Sequence, residues 1–99
     1  MLRDDDDADE LIRALGHPAR REILRTCWSQ PLTAGALTEQ LAGSLGLAPA
    51  STSEHLKVLR KCGLVVLDKQ GTFRWYSADP ARVADLARWL AEFGPTADS

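Results

Sequence analysis

The stretch from Leu47 to Val66 constrains the fold more than any other, because it specifies one helix with both of its ends and the strand that follows. Pro49 suits a first helical turn, where its missing N–H costs nothing. Gly63 suits the position just past a helix end, where a left-handed residue closes the last turn. Between them Thr52, His55, Leu56, Leu59 and Cys62 fall at helical spacing on one inward stripe, leaving Ser51, Ser53, Glu54, Lys57, Arg60 and Lys61 off it. The outward face is small and polar early and basic late. Short hydroxyls near a helix N-terminus can reach base edges in a DNA major groove, and later cations can meet phosphates, but an ordinary solvated helix face has the same composition. The rest of the chain has to decide between the two.

Taken in order, the chain predicts helices, then a hairpin, then a helix. Asp9 can cap a short helix carrying Leu11, Ile12 and Leu15 that ends at Gly16. His17-Pro18 opens a second, with Ile23, Leu24 and Cys27 on one face, Arg20, Arg21 and Arg25 largely on the others, and Pro31 as its stop. Thr33 can cap a third, with Leu37, Leu41 and Leu45 inward, and Gly46 closes it just before the Pro49 helix. Two helices joined by a short turn make a helix-turn-helix. Leu64–Asp68 and Thr72–Ser77 are strand-like runs around the turn Lys69-Gln70-Gly71, a hairpin that would flank the reading helix as a wing. Asp79 caps a last helix with Pro80 in its first turn. On it Val83, Leu86, Ala87 and Leu90 form one apolar stripe, and Trp89 and Phe93 a second. One small domain can cover one stripe, so the other is left for a second subunit. The expected class is α+β, mainly α: a winged helix-turn-helix of order α-α-α-α-β-β-α, with the first and last helices (Leu11, Ile12, Leu15, Leu86, Trp89, Leu90, Phe93) as a dimer interface.

Ninety-nine residues allow one domain with one modest core. The formal charge of −2 would argue against a nucleic-acid partner if it were evenly spread. The first ten residues, however, hold six acids against Arg3, a net −5, so residues 11–99 carry +3. Residues 1–8 are expected to be an acidic, flexible tail, because consecutive like charges repel and bury nothing. Residues 9–94 are then the domain, and 95–99 a flexible C-terminus. No apolar run follows the first basic residue, and Leu64–Leu67 is far too short to span a bilayer, which leads to the expectation of a cytoplasmic protein without a membrane partner. Cys27 and Cys62 lack the close Cys or His neighbours of a structural zinc site and read as buried small hydrophobes, with a thiol sensor as the alternative.

Three strings, Ala14–Leu24, Pro31–Leu37 and Ser53–Val65, resemble the ArsR/SmtB family of bacterial winged-helix repressors, and the resemblance covers residues 11–93. It implies a homodimer built from the first and last helices that binds an inverted-repeat operator and regulates transcription, in response to a metal, to a redox signal or to neither. The chain also departs from the family. Ala42-Gly43-Ser44 adds about one turn before the third helix ends, Ala48 stands where the family has a capping Ser, Thr52 replaces an inward Val, and Glu54 occupies a position where a basic or amide residue is common. The third helix lacks the Cys-x-Cys of the arsenic and cadmium members. The last helix has Asp79, Asp85 and Glu92 but no histidine, so the paired Asp and His of the zinc and nickel members are missing too. A divalent cation such as nickel or zinc would have to use the acidic N-terminus with Asp85, Glu92 or His17, a poor donor set for a transition metal.

No motif for a nucleotide, a hydrolytic metal or a catalytic triad is present, and a chain this small has little room for a cleft, so the expectation is not an enzyme. The residues assigned to DNA are Ser51, Thr52, Ser53 and Glu54 for base edges and Lys57, Arg60, Lys69 and Arg74 for phosphates, with Arg20, Arg21 and Lys61 nearby. Glu54 could accept from cytosine N4 or lie solvated away from the duplex. The rival class is a winged-helix module that binds another protein, or a DNA-binding regulator with a protein co-regulator.

Overall fold

The structure, a computed structural model, describes residue 2 and residues 4–94. Its elements run α1 (Asp5–Leu15), α2 (Pro18–Thr26), β1 (Leu32–Thr33), α3 (Ala34–Leu45), α4 (Pro49–Lys61), β2 (Val65–Gln70), β3 (Phe73–Ala78) and α5 (Pro80–Ala91). This is the expected winged helix-turn-helix, with one strand more than the sequence suggested. Leu32 and Thr33 pair antiparallel with Tyr76 and Trp75, making a three-stranded sheet of order β1-β3-β2. Two residues carry too little periodicity to announce a strand.

The punctuation residues act as their chemistry requires. Thr33 Oγ1 accepts from the Ala36 N–H at 3.2 Å and starts α3. Gly46, at φ 65°, ends it, its N–H donating to Ala42 O while the Leu47 N–H donates to Leu41 O. The left-handed residue turns the chain sharply enough for α4 to begin at Pro49. Ala48 offers α4 no side-chain cap. At its far end Gly63, φ 83°, lets the Leu64 N–H reach back to Leu59 O at 2.9 Å, and β2 leaves directly. Asp79 Oδ1 accepts from the Ala81 and Arg82 N–H groups to start α5.

Three boundaries differ from the sequence expectation. The first helix begins at Asp5, capped by Asp4, whose Oδ1 accepts from the Asp7 N–H at 2.9 Å; Asp9 lies inside the helix. Residues 5–8 are therefore not a flexible tail. Their charges sit in the first turn, where the helix dipole favours carboxylates, and Asp7 and Ala8 are buried. The second helix stops at Thr26, well before Pro31, because the Cys27 carbonyl accepts from the Ala78 N–H at the end of β3 and the chain must cross to β1. The hairpin turn is Gly71-Thr72, since Gln70 still pairs with Phe73, and Gly71 takes φ 62°. The expected C-terminal segment 95–99 lies outside the described residues.

A single core joins all five helices and the sheet. Leu11, Ile23, Leu37, Leu41, Leu59 and Leu64 are its fully buried aliphatic side chains. Leu45, expected inward, is exposed at the end of α3. Among the described residues no helix is long and apolar enough to cross a membrane.

Candidate nucleic-acid interface

On α4 the predicted stripe is the buried one: Thr52, Leu56, Leu59 and Cys62 are buried and His55 is half-buried. Thr52 is 0% exposed, so its assignment to DNA is corrected; it faces the core because it shares the face of Leu56 and Leu59. Ser53, Glu54, Lys57, Arg60 and Lys61 are exposed and Ser51 is half-buried. Glu54 and Lys57 pair at 3.4 Å with both side chains largely in water, an i,i+3 contact worth a fraction of a kcal/mol. A phosphate can displace it at little cost. Lys57, Arg60 and Lys61 line one shallow concavity at the late end of α4.

The wing carries the other cations. Register places Lys69 directly opposite Arg74, one pair before the Gly71-Thr72 turn. Alternation along the strands puts both on the face that, nearer the body, buries Val65, Tyr76 and Ala78 against the helices. Like charges directly opposite in a sheet repel. Both are exposed at a hairpin tip, where an anion would relieve the repulsion.

Arg20 does not belong to that surface. Its Nε donates to His55 Nδ1 at 3.2 Å, and Nη1 points to the Arg13 and Ala14 carbonyls at 3.5 Å, so it fastens α2 to α1 and to α4. Arg21 is exposed and donates to Leu15 O at 2.8 Å. His17 Nδ1 accepts from the Ala19 N–H, capping α2, and its ring lies 4.3 Å from that of His55. Burial lowers the His55 pKa below the usual histidine value. The nearby His17 and Arg20 charges push it the same way, and Glu54 opposes them.

A second brace has no signature in the sequence. Arg82 on α5 donates from Nη2 and Nη1 to Asp7 Oδ1 and Oδ2 at 2.7 and 3.3 Å, and from Nε to the Cys62 carbonyl at 3.1 Å. Asp7 and Arg82 are 75 positions apart, and no spacing rule connects them.

Residues 15–68 match the helix-turn-helix domain family, a span that includes the whole of α2 through α4. The chain belongs to the ArsR/SmtB family. It is 35% identical over 85 residues to the HTH-type transcriptional regulator Rv2034 of Mycobacterium tuberculosis, covering 86% of this chain and 76% of that one. Among solved structures, an ArsR-like transcriptional regulator from Rhodococcus sp. RHA1 superposes with a TM-score of 0.77 at 29% identity, over 90% of this chain and 80% of that one. The homodimeric winged helix-turn-helix DNA-binding domain of Mb0332 from Mycobacterium bovis shares the fold, with a TM-score of 0.70 at 20% identity, over 95% of this chain and 86% of that one. Other relatives, 32–41% identical, are longer, and the chain spans 64–65% of their length. This ArsR/SmtB-family chain is a transcriptional regulator with a DNA-binding fold, not an enzyme.

The expected dimer-interface residues divide. Leu11 and Leu86 are buried in the subunit's own core, so these two are corrected, while Trp89 packs half-buried against that core. Leu15 also packs on the core. Ile12, Leu90 and Phe93 remain 42%, 48% and 78% exposed on or just beyond α1 and α5, with the Phe93 ring edge-on to Trp89 at 5.2 Å. Among the described residues no three His, Cys, Asp or Glu side chains are grouped to hold an ion. Asp85 is paired with Arg88 and His17 caps α2. Cys27 and Cys62 are free and buried, and burial raises both thiol pKa values.

Proposed function

We propose that the protein is a homodimeric, sequence-specific repressor that binds an inverted-repeat operator. Each α4 enters a major groove and each wing lies along the adjacent backbone. The observation that carries this reading is the arrangement of cations. Lys57, Arg60 and Lys61 are exposed along the late face of α4, and Lys69 is held opposite Arg74 at the wing tip, in a chain whose formal charge is −2. Ser51, Ser53 and Glu54 sit at the early end of α4, where short side chains read base edges. The apolar residues left bare on α1 and α5 support pairing through those helices. Two such subunits present α4 twice, so half-site centres should lie about 10 base pairs apart or a multiple of that.

The test is a titration of the protein's own upstream DNA against random DNA over a salt series, for wild type and Arg74→Ala. Specific binding with a steep log–log salt dependence is expected, shallower by about two units in the variant as one phosphate contact is lost from each of the two subunits. Equal affinity for both DNAs would refute the specific reading. An unchanged slope in Arg74→Ala would remove the wing from the interface.

A second reading rests on the outer face of the wing sheet, where Phe73 and Val66 are 60% and 51% exposed beside Trp75. Such a face suits a protein co-regulator, and loss of co-purifying protein from Phe73→Ser would be its signature. As to signal, a nickel or zinc ion would need donors from a second subunit, and the buried thiols of Cys27 and Cys62 favour neither metal nor oxidant. A regulator whose occupancy follows its own concentration is therefore the reading the donor chemistry supports. Titrating nickel, zinc and an oxidant separately into the operator complex should change affinity by less than about twofold, roughly 0.4 kcal/mol of coupling.

A further inference from the structure

Resting on that DNA-binding reading, we propose that Arg82 is a positioning residue for the recognition helix: its guanidinium, held by Asp7, locks the C-terminal end of α4 to the two helices that carry the exposed apolar surface. The guanidinium works in two directions at once. Its fork meets both oxygens of Asp7 on α1, and its Nε–H meets the carbonyl of Cys62 at the end of α4. The two side chains are 20% and 3% exposed, so little solvent competes. The Asp7 carboxylate also favours the charged guanidinium, raising its pKa further. Only arginine has N–H groups fixed in this geometry; a lysine ammonium could serve one partner but not both.

The surroundings are shaped for this contact. Gly63 lies directly against Arg82, and a Cβ there would come within 3.4 Å of Nε. The opposite end of α4 has no side-chain cap at Ala48, and along its length Arg20 reaches His55 through one hydrogen bond. The Cys62 carbonyl is one of the groups a helix leaves unpaired at its C-terminus, the negative end of the helix dipole, where a cation is favoured. Arg82 therefore ties the end of the reading helix to α1 and α5 in a single side chain. In a dimer paired through α1 and α5, that tie sets how far apart and at what angle the two α4 helices stand. Operator binding needs both helices in register, whereas random DNA is held by phosphate contacts that tolerate small displacements.

The experiment compares wild type with Arg82→Met, Arg82→Lys and Asp7→Asn, reading affinity for upstream and random DNA, the salt slope of each, and amide exchange at Cys62 to Leu64. In both Arg82 variants operator affinity should fall at least about tenfold, random-DNA affinity should change less than about twofold, and the salt slope should not move. Asp7→Asn, which keeps the size of the side chain, should lose operator affinity in the same selective way, and exchange at Cys62–Leu64 should quicken. Parallel loss on both DNAs with a slope shallower by about two units, one for each subunit, would make Arg82 a phosphate contact and overturn the proposal. So would full operator affinity in Arg82→Lys, or unchanged exchange in Asp7→Asn. Should Arg82→Met not fold, Asp7→Asn decides. If wild type itself shows no preference for its upstream DNA, the DNA-binding reading fails instead, and the exchange measurement still judges the brace.

Discussion

Thr52→Val should stabilise the protein without touching its DNA sequence preference. Thr52 is 0% exposed on the inner stripe of α4, and its hydroxyl has no hydrogen-bond partner among the described residues. Burying an unpaired hydroxyl costs about 1–3 kcal/mol. Valine has nearly the same shape and a similar helix propensity, so the exchange removes that cost without opening a cavity or straining the helix. The expected gain is about 1 kcal/mol or more. For a domain of this size each kcal/mol moves the melting midpoint by about 4–8 °C. Thermal melts of both proteins at one fixed concentration would read it, since pairing of subunits makes the midpoint concentration-dependent. A urea series with unchanged slope would show that native stability, rather than denatured compactness, had moved. An unchanged or lower midpoint would mean that the hydroxyl is satisfied after all and the reasoning is wrong. Altered operator preference in Thr52→Val would mean that α4 presents a different face to DNA.

Three further outcomes follow from particular residues. Leu90→Ala with Phe93→Ala should turn a dimer at micromolar concentration into a monomer by sedimentation and leave the circular dichroism of the fold intact; a persistent dimer would move the interface elsewhere. Because His55 has a depressed pKa when folded, the unfolded chain takes up a proton first as pH falls through about 6.5. Stability should therefore decline below that pH until the folded value is passed. His55→Gln should lose this part of the pH dependence in denaturation at pH 7.5 and 5.5. Cys27 and Cys62, buried with raised thiol pKa values, should react with a thiol reagent far more slowly in the native protein than in denaturant; equal rates would reopen a redox role.

Much of the fold was legible because its boundaries are written in residues with few alternatives. Pro49, Gly46, Gly63 and Asp79-Pro80 each do in the structure what their backbone chemistry demands. The face of α4 was legible too, since 3.6-residue spacing separates Leu56 and Leu59 from Lys57 and Arg60. What was missed depends on partners distant in sequence. A run of aspartates reads as self-repelling until Arg82 is found across the fold, and the end of α2 is set by a hydrogen bond from Ala78. Thr52 illustrates a different difficulty: its period placed it inward while its hydroxyl suggested a reader of bases, and burial decided for the period. The two apolar stripes expected on α5 are not the division the fold makes: each gives residues both to the core and to the outside. Leu86 and Trp89 meet the core, and Leu90 is left outside.

The acidic helix end and the basic reading helix meet at a groove lined by Asp6, Glu10, Arg13, Arg20 and Lys61. Two surfaces of opposite sign therefore lie next to each other, which leads to a last prediction. At physiological ionic strength charges are screened over about 8 Å, so a duplex on α4 and the wing responds to the cations beneath it rather than to the chain's net charge. At 10 mM salt the screening length grows to about 30 Å, and the carboxylates of α1 come into range. Counterion release alone gives a straight log–log plot of affinity against salt. Here the plot for random DNA should flatten at its low-salt end, where repulsion by α1 opposes the gain. Asp5 and Asp6 are both exposed, and neither is the cap that starts the helix. Asp5→Asn with Asp6→Asn should straighten the plot below about 50 mM salt and leave affinity near 150 mM almost unchanged. If the variant and wild-type plots coincide down to 10 mM, the acids of α1 lie out of reach of the bound duplex.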